Sequence, residues 1–287
     1  VVSDSYLQQQ SEKTTSYAFN VYANYEFNLK QKHNFNIMLG ANAEGEEFYW
    51  HRSKKMGLLN PNQPEFGLAN GTQTVDGRHV HSATAGYFGR INYNWNEIWL
   101  LELNGRFDGS SSFPSKDRWA FFPSASVGYR FSQEGYFDKL RNIINNGKLR
   151  ASLGEIGNEA VGEDMFISTI STVDNRYWLD SEGNLMTMYN VPSLVSSSLT
   201  WERIRTLDLG IDLGFLNNEL NVSFDWYQRK TLDMLAPGVT LPDVLGTKEP
   251  YTNAGSLRSR GWELNLSWNH RFGDFNVYAS GHLSDYK

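Results

Sequence analysis

The sequence predicts an all-β protein of antiparallel strands, and two observations carry that prediction. Apolar and polar residues alternate along many short segments, which is the period expected of a strand with two different faces. The apolar stretches are also short, as in Ile98–Leu101, whereas a membrane-spanning helix needs about 20 such residues. Strands rather than helices are therefore expected to form the framework.

The first predicted strand covers residues 17–27, where Tyr17, Phe19 and Val21 alternate with mostly polar neighbours. The same alternation predicts about ten strands, each near the roughly 9–11 residues that a tilted strand needs to cross a bilayer. The other predicted segments are 35–43, 87–95, 99–107, 121–131, 149–153, 207–213, 220–226, 262–268 and 275–279.

The polar face of these strands admits two architectures. In a β-sandwich it would meet solvent, with the apolar face forming the core. In a transmembrane barrel it would line a wet lumen, with the apolar face against lipid. Its members are Asn24, Glu26, Arg90, Asn92, Glu102, Asn104, Arg106, Arg130, Asp208, Asp212, Asp225, Glu263 and Asn265.

Connection lengths favour the barrel. Short joins near 30–32, 94–96, 215–219 and 271–274 alternate with long ones near 45–82, 109–118, 155–200 and 232–258. A middling join at 132–147 is expected to hold a helical turn over 137–142. Strict alternation places the short turns on one rim and the long loops on the other, as in transmembrane barrels.

Tryptophans at the strand ends point the same way, because aromatic rings gather at both membrane interfaces. They are Trp95, Trp99, Trp119, Trp201, Trp226, Trp262 and Trp268. A barrel of about ten strands would be too narrow for so polar a lining. We therefore expect residues 1–287 to be part of one wider barrel domain.

Composition excludes several functions. Lys and Arg number 26 against 32 Asp and Glu, a net charge of -6, which argues against nucleic-acid binding. With no cysteine, disulfide scaffolds, thiolate metal sites and cysteine nucleophiles are excluded.

Several motifs resemble the SusC/RagA family of TonB-dependent outer-membrane transporters. The most similar are Tyr87–Asn94, Leu103–Phe113 and Arg118–Arg130. The remaining ones, in family order, are Lys148–Gly154 with Gly157 and Asn158, Leu199–Glu202, Asp225–Leu235, Asn253–Gly255 and Gly261–Leu264. Together they cover roughly residues 80–270, and none is catalytic.

The resemblance implies a bacterial outer-membrane location and a 22-stranded wall with short periplasmic turns, long extracellular loops and a plug. It implies TonB-driven import of an oligosaccharide or peptide beneath a SusD-like surface lipoprotein. Expected partners are therefore that lipoprotein, outer-membrane lipid, the substrate, and the TonB complex through the plug. We find no plug-like segment and no TonB box in this sequence, and we expect both to be absent from the chain.

Two loop clusters are the candidate ligand-binding residues. One holds Tyr49, Trp50 and Arg52, and the other holds Arg176, Tyr177 and Trp178. Aromatic faces beside an arginine can stack on sugar rings or clamp a peptide, although large rings also fold long loops onto a rim.

Other candidate sites have simpler explanations. The Asp108–Ser112 run is typical of a turn rather than a nucleophile loop. His79 and His81 share a strand face but show no third metal ligand. Two carboxylate clusters are typical of solvated loops, although such clusters can also bind calcium. They are Glu44, Glu46 and Glu47, and Glu159, Glu163 and Asp164.

We therefore expect a transporter wall without enzymatic activity, metal or cofactor. The alternative is a soluble all-β module that binds carbohydrate or mediates adhesion, whose apolar face would be buried sheet against sheet. That alternative accounts for the aromatic content of 14%. A barrel enzyme would need a converging Ser/His or Asp/His set, which the sequence does not offer.

Overall fold

The computed structural model describes residues 5–159, 161–162, 165–170, 172–173, 178–183, 185–186 and 188–287. Its strands are β1 (Tyr6–Leu29), β2 (His33–Met56), β3 (Gln73–Trp95), β4 (Trp99–Ser110), β5 (Trp119–Tyr129), β6 (Ile144–Asn158), β7 (Thr172–Val173), β8 (Met188–Tyr189), β9 (Glu202–Phe215), β10 (Leu220–Pro237), β11 (Tyr251–Phe272) and β12 (Phe275–Tyr286). Among these described residues, no helix is long and apolar enough to cross a membrane.

The fold class predicted from the sequence is confirmed. Ten of the strands form one antiparallel sheet in the order β1-β2-β3-β4-β5-β6-β9-β10-β11-β12. Each strand therefore pairs with its neighbour in the chain, apart from the step from β6 to β9. The connection at that step contains β7 and β8, which form a separate two-stranded sheet.

The chain divides into two compact units. The smaller contains residues Val1–Asn20 and Asn42–Ala85, and the larger contains Val21–Ala41 and Gly86–Lys287. The larger unit holds β4 to β12 and most of the motifs that predicted the family. The smaller unit contains stretches of β1, β2 and β3 together with the β2–β3 connection.

Several strands are much longer than the alternating segments. Strands β1 and β2 have 24 residues each, and β11 has 22. The predicted long loops at 45–82 and 232–258 are correspondingly wrong in extent, because β2 continues to Met56 and β10 to Pro237. The added residues 8–16 of β1 are polar on both sides, and those of β2 and β10 mix apolar and polar side chains without regular alternation.

Two of the short turns are built with left-handed backbone at residues other than glycine. Lys30 and Gln31 have φ of 51° and 59°, and Asn96 and Glu97 have 52° and 59°. Two consecutive residues with positive φ define the type I′ hairpin turn, whose twist matches that of the flanking strands. These turns therefore fix the β1–β2 and β3–β4 hairpins.

The connection after β5 differs in detail from its prediction. A helical turn was expected at 137–142, whereas 3₁₀ turns occupy Phe131–Gln133 and Gly135–Phe137. Turn hydrogen bonds continue beyond them, and Ile144 N donates to Leu140 O at 2.9 Å. The segment thus remains a series of tight turns.

The larger unit has a buried cluster at the end of the strands that carries the long loops. Its members, which we call the loop core, are Phe113, Ala120, Phe122, Leu199 and Trp201. Elsewhere much of the apolar surface of the sheet is exposed. Leu101, Leu103 and Val127 retain 38%, 42% and 39% of their accessible surface.

Candidate functional site

One face of the sheet in the larger unit carries a ladder of hydrogen-bonded polar side chains. Arg90 Nε donates to Asn104 Oδ1 at 2.8 Å, and Asn104 Nδ2 donates to Glu102 Oε1 at 2.7 Å. Asn36 Nδ2 donates to Glu26 Oε1 at 2.6 Å. The face thus offers donors and acceptors in mixture, as the sequence predicts for a polar lining.

The other two predicted arginines of this face are placed differently. Arg106 Nη2 lies 2.8 Å from Asp108 Oδ1, and its guanidinium lies 5.5 Å from the ring centre of Phe88. Arg130 lies just beyond the end of β5, at the short-turn end, where its Nη1 is 3.7 Å from Glu97 Oε2. Of these two arginines, only Arg106 therefore lies within a strand on the polar face.

The strongest charge network of this face centres on Arg150, which sequence reasoning did not single out. Its Nε donates to Asp212 Oδ2 at 2.8 Å, and its Nη2 lies 2.8 Å from Asp225 Oδ1. Ser223 Oγ donates to Asp212 Oδ1 at 2.8 Å. Because one guanidinium serves two carboxylates, the network is acidic overall.

Gly210 makes this network possible. In the strand register it lies between the two charged residues, opposite Arg150 on β6 and opposite Asp225 on β10. A Cβ at position 210 would lie 2.8 Å from Arg150 Cζ and would also collide with Asp225 Oδ1. The sequence signal for Arg150 was its place between Lys148 and Ser152, at the polar positions of β6.

The polar face is also concave in places. A cavity of about 780 Å³ has polar lining residues from β1 to β9, among them Asn36, Asn92, Glu102, Lys148 and Asp208. A second cavity of about 460 Å³ is lined by Asp212, Ser223, Asn265 and His282. Cavities of this size hold small organic molecules or segments of a longer one.

The opposite face is apolar and is bounded by aromatic pairs at both ends. At the short-turn end, the rings of Trp99 and Tyr129 stack with centroids 4.4 Å apart. At the long-loop end, Trp119 stacks on Phe107 at 5.1 Å and on Tyr87 at 6.3 Å. Aromatic rings at two levels, with exposed aliphatic residues between them, are the pattern of a lipid-facing wall.

The separation of these aromatic levels matches a bilayer. Trp119 and Tyr129 are the first and last residues of β5, which has 11 residues. The two residues are ten steps apart, about 33 Å along the strand at about 3.3 Å per residue. Since barrel strands tilt by about 35–45°, the height between them is about 23–27 Å, close to the apolar band of about 25 Å found in barrels.

The loop core assembles several of the motifs that predicted the family. Phe113 is fully buried, and its ring lies 5.2 Å from that of Trp201. Trp201 also packs edge-on against Phe122 at 5.5 Å, and its Nε1 donates to Arg118 O at 2.8 Å. The long loops are therefore anchored by a hydrophobic cluster and not by strand pairing alone.

Asn253 links the start of β11 to the segments around Thr200 and Asp233, next to the loop core. Its Oδ1 accepts from Thr200 N at 3.0 Å, and its Nδ2 donates to Thr200 O at 2.8 Å and to Asp233 O at 2.7 Å. One side chain thus satisfies backbone groups from two other segments. This explains structurally why Asn253–Gly255 belongs to the motif series.

The structure separates the first candidate ligand cluster onto two faces of β2. In the smaller unit, Tyr49 contacts His51 and His79, with ring centroids 6.0 Å from each. Trp50 and Arg52 lie on the opposite face by strand alternation. There the guanidinium of Arg52 lies 5.7 Å from the Trp50 ring, and its Nη2 is 3.1 Å from Asp76 Oδ2.

The second candidate cluster is only partly described. Trp178 lies in the larger unit and is 65% exposed. It sits in a small turn structure, where Met186 N donates to Trp178 O at 3.0 Å. Arg176 and Tyr177 lie outside the described residues.

The other motifs considered from sequence have local partners. His79 Nε2 lies 2.8 Å from Glu47 Oε1, and Ser16 Oγ donates to Glu46 Oε2 at 3.4 Å. Ser110 is buried and its Oγ accepts from Ser112 N at 3.1 Å, as in a turn. Of the second carboxylate cluster, Glu163 and Asp164 lie outside the described residues. Within the described part of the chain, no three His, Asp or Glu side chains are grouped to hold a metal ion.

A sheet with one polar face, one exposed apolar face and aromatic levels a bilayer apart defines a segment of transmembrane β-barrel wall. The model of the TonB dependent receptor-like β-barrel family matches residues 2–286. The chain belongs to this family of outer-membrane receptors. Its short turns accordingly lie on the periplasmic side and its long loops outside the cell.

Relatives and solved structures agree with this assignment. The chain is 30% identical to the TonB-dependent receptor SusC of Bacteroides thetaiotaomicron, over 94% of this chain and 28% of that protein. It is 29% identical to the TonB-dependent receptor P26 of Formosa agariphila, over 92% of this chain and 26% of that protein. Its fold matches the structure of the RagAB peptide transporter with a TM-score of 0.85 at 24% identity, over 97% of this chain and 30% of that one.

The chain thus spans 28% of the length of SusC and 26% of the length of P26. These relatives place the chain among SusC-like outer-membrane proteins. The alternative of a soluble carbohydrate-binding or adhesive module is not supported, because the apolar face it would bury is exposed at Leu101 and Leu103.

Proposed function

We propose that the polypeptide containing this chain imports a nutrient, an oligosaccharide or a peptide, across the outer membrane in a TonB-dependent manner. Residues 1–287 would form part of a single barrel domain, contributing wall and outer loops without catalytic chemistry. The plug and the segment that contacts TonB would lie outside these residues.

The observation that carries the proposal is the pairing of a hydrogen-bonding face with a lipid-facing one on the same strands. Sugars and peptides both present several hydroxyl or amide groups, each of which needs a partner when it leaves water. A ladder of Asn, Arg and Glu side chains such as Arg90, Asn104 and Glu102 supplies such partners. Because these side chains are bound to one another, they can exchange partners without leaving a bare charge.

The outer loops would make the first contacts with the substrate. We propose Tyr49, Trp50, Arg52 and Trp178 as contact residues, together with Arg176 and Tyr177. Tyr49 and Trp178 are exposed by 48% and 65%, which makes their rings available for stacking. A SusD-like surface lipoprotein would cover these loops, as the resemblance to SusC and RagA implies.

The test is uptake in a strain that lacks the gene. Restoring the full gene should restore import of either fluorescently labelled oligosaccharides or labelled peptides, and import should stop when the proton-motive force is dissipated. Import that continues without that force would contradict TonB dependence. Restoration of neither labelled class would contradict the proposed substrates.

Two variants separate contact residues from wall residues. Trp50→Ala is expected to weaken uptake at low substrate concentration about tenfold. The reason is that losing an aromatic contact with the substrate costs about 1–2 kcal/mol of binding free energy. Trp95→Ala, at the periplasmic end of β3, is the matched control and should leave uptake unchanged. Equal loss in both variants would argue against Trp50 as a contact residue.

A further inference from the structure

The outward face of β9, β10 and β11 carries a group of cations on the long-loop side of Trp226 and Trp262. A cavity of about 520 Å³ identifies which residues of these strands face the polar side. Its lining includes Thr206, Asp208, Arg229 and Glu263. Strand alternation then places the intervening residues on the opposite, lipid-facing side. Trp262 is one of them.

The strand register sets the order of side chains on that outward face. Trp226 lies opposite Trp262, and the next outward pair toward the long loops is Gln228 with Arg260. The pair after that is Lys230 with Arg258. All of these positions share the face of the two tryptophans, since each is an even number of residues away from them.

Lys230 also lies opposite Arg205 on β9. Arg205, Lys230 and Arg258 thus form one row of cations across three neighbouring strands. We call these three residues together with Arg260 the outer basic patch. Residues directly opposite one another in antiparallel strands have Cβ atoms about 4.5–5.5 Å apart, and like charges at that distance destabilise the sheet.

The protein supplies only part of the negative charge that this row requires. Glu155 is buried against the end of the row, with Oε2 2.8 Å from Arg205 Nη2 and Oε1 2.6 Å from Arg203 Nη1. Arg260 Nε donates to the neutral Gln228 Oε1 at 2.8 Å. Across the described residues, Lys230 and Arg258 have no ion pair.

The position of the patch indicates where the missing anion comes from. On β11, Arg258 is ten residues from Trp268 near the short turn, about 33 Å along the strand at about 3.3 Å per residue. With a barrel tilt of about 35–45° this is a height of about 23–27 Å, close to the apolar band of about 25 Å. The patch therefore lies at the outer edge of the hydrocarbon, at the depth of the outer-leaflet headgroups.

We propose that the outer basic patch binds the phosphate groups of a phosphorylated lipid headgroup in the outer leaflet. Lysine and arginine are the side chains that hold phosphate by charge-assisted hydrogen bonds, and basic clusters beside a lipid-facing surface recognise anionic headgroups. The patch is continuous with the lipid-facing band, which favours a lipid over a soluble anion. A bound phosphate would supply the negative charge that Lys230 and Arg258 lack.

The experiment measures retention of lipid by the purified full-length polypeptide. The protein is reconstituted in phosphatidylcholine nanodiscs with bisphosphorylated lipid A or with the same lipid after enzymatic dephosphorylation, and bound lipid is counted by native mass spectrometry. The wild type is expected to retain the phosphorylated lipid at least about tenfold better. Equal retention of both lipids would overturn the proposal without recourse to any variant.

Variants then locate the site. The triple variant Lys230→Gln, Arg258→Gln, Arg260→Gln should lose at least about nine tenths of the retained lipid. Arg229→Gln is the matched control, because Arg229 neighbours Lys230 but faces the polar side. A charge-preserving variant, Lys230→Arg with Arg258→Lys, should retain the lipid and verifies that the substituted face still folds.

Each remaining outcome is decisive. Unchanged retention in the triple variant, or equal loss in Arg229→Gln, would overturn the assignment to this patch. Displacement of lipid A by millimolar inorganic phosphate would mean that the patch is a site for free phosphate and would overturn the lipid assignment. A co-purifying protein that is lost in the triple variant, with lipid retention unaffected, would identify a protein interface instead.

Discussion

The two ends of the strands in the larger unit are stabilised by different interactions. At the short-turn end every hairpin except β5–β6 reverses within a few residues, and its geometry is set locally by backbone dihedral angles such as φ of 59° at Gln31. At the long-loop end the connections are anchored by the loop core, which includes Phe113 and Trp201. Local conformation thus shapes the short hairpins of one rim, and hydrophobic packing shapes the long loops of the other.

This difference shows how one antiparallel sheet can carry short hairpin turns at one rim and long, ordered loops at the other. Hydrogen bonds between strands fix the wall, but they end where the strands end. A long loop beyond that point must provide its own buried surface if it is to have a defined structure. Trp201 and Leu199 provide it at the extracellular rim, where a binding surface has to be held in place.

Trp201→Ala is expected to have the largest effect on the long-loop rim. It removes a buried ring that contacts Phe113 and Phe122, and it also removes the donor to Arg118 O. Truncating a buried aromatic residue costs about 3–5 kcal/mol. Protease cleavage of the long loops in vesicles should therefore rise by at least about a hundredfold, while the heat-modifiable gel shift of the barrel persists.

Trp95→Ala is the control at the other rim, where the ring is 40% exposed on the sheet surface. It should leave loop cleavage unchanged. If both variants increase cleavage to the same extent, the loop core does not anchor the loops independently of the wall.

Asn253→Ala should have a smaller effect at the same rim. The amide satisfies Thr200 N, Thr200 O and Asp233 O, and its removal leaves these backbone groups in a half-buried site without their partner. A cost of about 1–3 kcal/mol is expected, measured as a lower urea midpoint for loss of loop protection. Asn269→Ala, in the same strand β11 near the short turn, should not shift that midpoint, and a comparable shift would refute the role of Asn253.

The wall could be predicted from the sequence wherever its two faces meet different surroundings. Between Tyr17 and Phe27 one face is apolar and aromatic while the other is mostly polar, so alternation identifies a strand. From Gln8 to Ser16 both faces carry only polar residues, and the sequence there has no period to detect. The strand continues because its neighbours provide hydrogen-bond partners, which is information that lies elsewhere in the chain.

The same limit applies to the candidate sites. Asp212 and Asp225 were identified as polar-face residues from alternation, but their shared partner Arg150 depends on a register across three strands with Gly210 between them. Tyr49 and Trp50 look like one cluster in sequence, yet adjacent residues of a strand point to opposite faces. Pairing across strands, and not proximity in sequence, decides which side chains act together.

Gln31→Gly, at the short-turn rim, is expected to give the smallest effect. Gln31 has φ of 59°, a conformation that costs residues with a Cβ about 1–2 kcal/mol. Glycine removes that cost but adds conformational freedom to the unfolded chain, worth about 0.5–1 kcal/mol.

A net stabilisation of about 0.5–1 kcal/mol should appear as a higher urea midpoint for unfolding from vesicles. Gln31→Ala keeps the strained backbone and should give no gain. A gain in Gln31→Ala equal to that in Gln31→Gly would mean that the glutamine side chain, and not the left-handed backbone, limits the stability of this turn.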